Sequence, residues 1–226
     1  EIRFCDWSSD VCSSDLRVGK PHHMIASVAK ESQADLVILG AYRKRTGDQF
    51  LGTTAERVVR AATRPVLIVN GEATVPYESV LLASDLSAEF ADVARLTQQF
   101  GLFENARVSL VHAIEPASQE MLYTAGVTEP HIMQYLRSLT ASTRETLRAQ
   151  LQAVGLASSH VRIIQEHGRP FRAIERAVES MSPQLLVMGM SRYAALKRLL
   201  SGSVANEVLR TGSRSEERRV GKECRS

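Results

Sequence analysis

Apolar residues along this chain fall into two kinds of run. Short continuous ones occupy DLVILG (35–40), PVLIVN (65–70), SVLLAS (79–84), RVSLVHAI (107–114), VRIIQEH (161–167) and QLLVMG (184–189). Runs of that length suit strands covered on both faces, as in a parallel sheet between helices. Between them apolar residues recur at helical spacing: Ile25, Val28 and Ala29, then Ile174, Ala177 and Val178. Val93 and Leu96 face inward in a helix predicted at about residues 91–100, and Ile132, Leu136, Leu139, Leu147 and Leu151 form the stripe of a longer one. Pro21 and Pro170 stand where proline starts a helix, since the first helical N–H needs no partner. Strands alternating with helices predict an α/β fold with a mostly parallel sheet and right-handed crossovers.

The chain also repeats itself. GKPHHMIASVAKESQADLVILGAYR from Gly19 aligns without a gap with GRPFRAIERAVESMSPQLLVMGMSR from Gly168. FLGTTAERVVR (50–60) then matches LSGSVANEVLR (200–210) after a one-residue difference in length. A unit this long is a duplicated domain and not a solenoid repeat. Counting strands, copy one supplies the last two of its domain and copy two the first four. The expected organisation is therefore the C-terminal part of a first domain at 17–72 and a second domain at 73–213 lacking its last strand.

Composition changes this picture little. Hydrophobic residues make up 44% of 226, and no apolar run reaches the ~20 residues that span a bilayer. A net charge of +3, dispersed along the chain, gives no footprint for nucleic acid. The expected partners exclude nucleic acid and membrane, and the expected location is the cytoplasm.

Candidate chemistry is sparse. No HExxH helix, Ser-His-Asp spacing or paired acidic site occurs, and His22, His23, His112, His131, His160 and His167 do not cluster as ligands, so no metal site is identified. His112 reads as a core or strand-end histidine. The better candidate is the loop after QLLVMG, from Gly189 to Gly202-Ser203. A glycine after a strand lets a ligand approach the backbone, and Gly202-Ser203 opens a helix whose free N–H groups suit a phosphate; the same pattern also simply turns a corner. Asp85, at the C-terminal end of its strand, reads as a ligand-binding residue, as an N-cap or Asx-turn, or as both together, and Ser87 reads as a cap or turn residue in the same way.

VLLASDLS, LVHAIEP, EHGRPFRAI, LLVMGMSR and GSVANEVLR, in that order, resemble the universal stress protein family in its tandem-domain form, over residues 17–213. The resemblance implies a duplicated open sheet of five parallel strands, order 3-2-1-4-5, with helices on both faces. It implies ATP or another adenine nucleotide as the ligand, held by a Gly-x-x-Gly-x9-Gly-Ser/Thr loop and an aspartate after the first strand. Carried over, Asp85 faces the adenosine, Ala113 gives backbone contacts to the adenine, Met188 and Gly189 line the start of the loop, and Gly202, Ser203 and Val204 hold the phosphates. Arg192 stands where the loop's second glycine is expected, as Arg43 does in copy one. An arginine there either reaches a phosphate or closes the approach. The resemblance further implies dimer-like packing between tandem domains or a homodimer, and a bacterial stress-response role without catalysis. No Walker lysine or magnesium aspartate argues for phosphate transfer.

The ends differ from the interior. Cys5, Trp7, Cys12 and Cys224 are the chain's only cysteines and tryptophan, all within residues 1–16 and 214–226. CDWSSDVCSSDL and RSEERRVGKECRS resemble in-frame translations of paired short-read sequencing adapters. Both end segments are expected to be disordered and to carry no function.

Overall fold

The continuous apolar runs become parallel strands, as their two-sided burial requires. The computed structural model describes residues 17–40, 42–43, 49–50, 53–69, 76–115, 119–156, 160–189 and 204–211. The two end segments lie outside these. The chain divides into two units, 1–71 and 72–226.

The first unit runs α1 (Pro21–Glu31), β1 (Val37–Gly40), β2 (Tyr42–Arg43), β3 (Gln49–Phe50), α2 (Thr53–Ala61) and β4 (Val66–Val69). Pro21 opens α1 as expected. Strands β1 and β4 pair in parallel, from Val37 opposite Val66 to Gly40 opposite Val69. What reads as loop after Gly40 holds a short antiparallel ladder, Tyr42 opposite Phe50 and Arg43 opposite Gln49. The β-favouring aromatics occupy one paired position.

Ala29, Ala55 and Val58 are buried, yet Val28 is 39% exposed, against the expectation that it faces inward, and Ile38 is 63% exposed. The reason is the sheet beneath them. In the repeat these two correspond to Ala177 and Val187, which pack into cores built on a four-stranded sheet. The two-stranded sheet of the first unit offers no third strand, among the described residues, on which such side chains can rest.

The second unit runs β5 (Ser79–Ser84), α3 (Glu89–Gln99), β6 (Arg107–Ile114), α4 (Gln119–Thr124), α5 (Glu129–Ala153), β7 (Arg162–His167), α6 (Pro170–Met181), β8 (Leu185–Met188) and α7 (Val204–Thr211). Its sheet has the order β7-β6-β5-β8, every pair parallel. Counted within the unit this is 3-2-1-4, and β1 beside β4 in the first unit is the 4-5 pair. Successive residues alternate faces. Leu82 and Leu110 join Phe90, Leu147 and Leu151 on one side, while Leu81 and Val111 meet Ala173, Ile174 and Ala177 on the other. Each fully buried leucine or valine contributes about 1.5–3 kcal/mol relative to an exposed one.

Two helices differ in detail from their predicted stripes. Helix α3 starts at Glu89, and its deepest residues are Phe90, Ala94 and Thr97, with Val93 and Leu96 half-buried. Phe90 joins the core cluster of Leu82, Leu147 and Leu151. In α5, Ile132, Thr143, Leu147 and Leu151 are buried, whereas Leu136 and Leu139 are half-buried.

Candidate functional site

Strand β5 connects through α3 to β6 on one side, and β7 crosses through α6 to β8 on the other. Strand β5 thus feeds its neighbour on one side while β8 lies on its other side, and the C-terminal ends of β5 and β8 are where open α/β sheets of this order take ligands. Ala83 is paired with Val111 on one side and Met188 on the other. Asp85 and Gly189 therefore leave neighbouring strands at the same end. Ala113 lies near the end of the next strand, opposite Glu166 of β7. The backbone N–H of Gly168 donates to Ile114 O at 2.9 Å and ties those two strand ends together.

The turn after β5 is built from side chains as much as from backbone. Leu86 N–H donates to Ser84 Oγ at 3.1 Å, and Ser87 N–H donates to Asp85 Oδ1 at 3.0 Å. The second bond is an Asx-turn, one of the two readings Asp85 allows. The N-cap reading is not realised: the cap of α3 is Ala88, with no side-chain hydrogen bond. Leu86 has φ of 62°, the left-handed region, which costs a non-glycine residue about 1–2 kcal/mol. From α5, Gln150 Nε2 donates to Leu86 O at 3.0 Å and to Ser87 O at 3.2 Å. Asp85 itself is exposed at the strand end.

His112 lies one step inside the sheet, buried, with Nδ1 2.8 Å from Ser84 O. A carbonyl only accepts, so Nδ1 carries the proton and donates it. This is the strand-end histidine the sequence suggests: it secures the last residue of β5.

Gly189 sits where β8 ends, and its φ lies outside the left-handed region. A Cβ built there would stand 3.5 Å from Val93 Cγ2, an ordinary contact. Neither conformation nor packing among the described residues requires glycine at this position. Ala113, Met188 and Val204 all pack against the cluster of Ala173 and Ile174, on the face of the sheet that α6 covers. Helix α7 begins at Val204, directly after Gly202-Ser203. Arg192, Gly202 and Ser203 lie outside the described residues.

Gln150 is the residue bonded to the turn after β5 that the sequence does not point to. The available signal is that it follows Leu147 by three residues and precedes Leu151, which puts a polar group on an apolar stripe. The rings of His22 and His23 lie 4.2 Å apart at the start of α1. No group of three or more His, Cys, Asp or Glu able to hold a metal occurs among the described residues, and none of their helices is long and apolar enough to cross a membrane.

A parallel sheet of order β7-β6-β5-β8 with helices packed on both faces defines the class: an open-sheet α/β domain. The sequence model of the universal stress protein family matches residues 8–70 and 76–214, the first match beginning within the head segment. The chain belongs to the universal stress protein family. Among solved structures, a universal stress protein from Archaeoglobus fulgidus is similar at 18% identity and a TM-score of 0.55, over 82% of this chain and 62% of its own. A functionally unknown protein from Pseudomonas aeruginosa is similar at 18% identity and a TM-score of 0.60, over 86% of this chain and 66% of its own. A universal stress protein solved in complex with cAMP aligns at 19% identity and a TM-score of 0.40, over 60% of this chain and 92% of its own. The chain spans less than two thirds of the length of the first two. No curated protein matches it in sequence.

Proposed function

We propose that the chain is part of a tandem universal stress protein, a non-enzymatic stress-response protein of the bacterial cytoplasm whose second domain binds ATP or another adenine nucleotide. One observation carries this reading. Asp85 and Gly189 leave neighbouring strands at the same end, and the absence of a side chain at Gly189 has no explanation within the described fold, while a ligand approaching the backbone supplies one. The boundaries proposed are 17–72 and 73–213 for the two domains, with 1–16 and 214–226 contributing nothing. Asp85 would face the adenosine and Ala113 the adenine, beside Met188 and Gly189. Arg192, Gly202, Ser203 and Val204 would hold the phosphates, and the tandem domains would pack on each other as a dimer does.

A second reading rests on Arg192 in place of a loop glycine: a domain that takes no nucleotide and acts through domain packing and protein partners. Calorimetry of the full chain with ATP separates them. Saturable binding, weakened at least tenfold by Asp85→Ala, is the expected outcome. No heat and no thermal shift at millimolar ATP overturns the nucleotide reading. Turnover of bound ATP at ordinary enzyme rates would overturn the non-enzymatic one.

A further inference from the structure

We propose that Gln150 is the positioning residue of the Asp85 turn, acting from α5 across 64 residues of sequence. The inference rests on the nucleotide reading for its consequence, though not for its geometry. Left to itself, the turn would not hold its shape. Leu86 is in the left-handed region, where a branched aliphatic residue is disfavoured, and such a conformation persists only when its surroundings over-determine it. Ser84 and Asp85 bind the N–H groups of Leu86 and Ser87, which leaves the carbonyls to be fixed. Phe90 N–H reaches Ser87 O at the long distance of 3.4 Å, whereas Gln150 reaches both carbonyls at 3.0 and 3.2 Å.

The helix holds Gln150 still. Leu147 and Leu151, three residues before and one after, are fully buried in the core beneath α3 and α5. The amide also carries a cost: Gln150 Oε1 is buried and has no hydrogen-bond partner among the described residues. A leucine would continue the apolar stripe without that orphaned acceptor, so what the glutamine contributes is its two donated bonds. Those bonds select the turn that presents the Asp85 carboxylate at the end of β5. Gln150 touches no ligand in this scheme; it acts through the turn.

The test uses the full chain, native and Gln150→Leu. It reads amide hydrogen exchange by NMR and ATP affinity by calorimetry. The expected result is exchange at the Leu86 and Ser87 amides at least about tenfold faster, with the β5 amides of Leu82 and Ala83 unchanged. ATP affinity should fall about tenfold, the scale of two lost hydrogen bonds to the loop. Asp85→Ala added to Gln150→Leu should then cost less than it does alone. If the leucine variant does not fold, Gln150→Asn, which keeps the amide but withdraws it by one methylene, replaces it. Unchanged exchange at both amides overturns the proposal, as does acceleration spread through all of β5, which would mark a general core role. Local acceleration in a chain whose native form binds no ATP supports the positioning role and overturns the nucleotide reading instead.

Discussion

Replacing Gly189 by alanine should move stability and binding in opposite directions. The new methyl would lie 3.5 Å from Val93 Cγ2, a normal van der Waals distance, and the backbone is not in the left-handed region. No clash or backbone strain is therefore introduced. The unfolded chain meanwhile loses conformational freedom, an effect that stabilises by about 0.4–1 kcal/mol where the native conformation suits alanine. In a domain of this size that corresponds to a melting temperature about 1–4 °C higher. Binding should suffer under the nucleotide reading, because the methyl would occupy space at the end of β8, on the side that faces Val93 of α3. Inserting a methyl where a ligand fits closely costs about 1–3 kcal/mol, or about five- to 150-fold in affinity. Thermal melts of the full chain without ligand, followed by calorimetry with ATP, read both quantities. A variant that melts lower would mean that the glycine serves the fold. A variant that melts higher and binds ATP as the native chain does would remove the observation on which the nucleotide site rests.

Leu147→Ala should cost the second unit about 2–5 kcal/mol, since Leu147 is fully buried between α5 and the sheet; chemical denaturation measures it. The repeat offers a matched pair. Ile38→Thr should change stability by no more than about 0.5 kcal/mol, while Val187→Thr, at the corresponding position packed on the Leu82 cluster, should cost about 1–2 kcal/mol. Equal effects on local hydrogen exchange would contradict the difference in packing. His22 should titrate below the ordinary histidine range, chiefly through partial loss of hydration and then through the charges of His23, Arg57 and Lys20. Because protonation is disfavoured in the folded chain, its contribution is complete above the ordinary histidine pKa and is lost as pH falls below it. Arg57→Ala should move the His22 midpoint upward in an NMR titration, and no movement would discount the charge contribution.

The sheet was legible because parallel strands carry a strong signal: SVLLAS and QLLVMG each hold an unbroken apolar stretch, and the repeat put their order in register. The ends of helices were less so. The spacing places Phe90 before α3, whereas it is one of the helix's buried anchors, because nothing local distinguishes the first helical residue from the last of a turn. Burial of Val28 could not be read from helical spacing, which specifies a face but not the width of the sheet that face meets. At the site, Asp85 and Gly189 were visible as residues that end strands. Gln150 was not, because its bonds to the turn join segments 63 and 64 residues apart, and no local pattern encodes such a contact.

The bond between His112 and Ser84 has a spectroscopic consequence. A ring N–H held on a buried carbonyl at 2.8 Å exchanges slowly with solvent and resonates far downfield, clear of the backbone amides. The imidazole sits one residue inside the position of Asp85, on the strand that also carries Ala113. That single proton line is a built-in reporter for this end of the sheet. Its shift during a nucleotide titration would register occupancy without a label, a substitution or a change in any group that contacts the ligand.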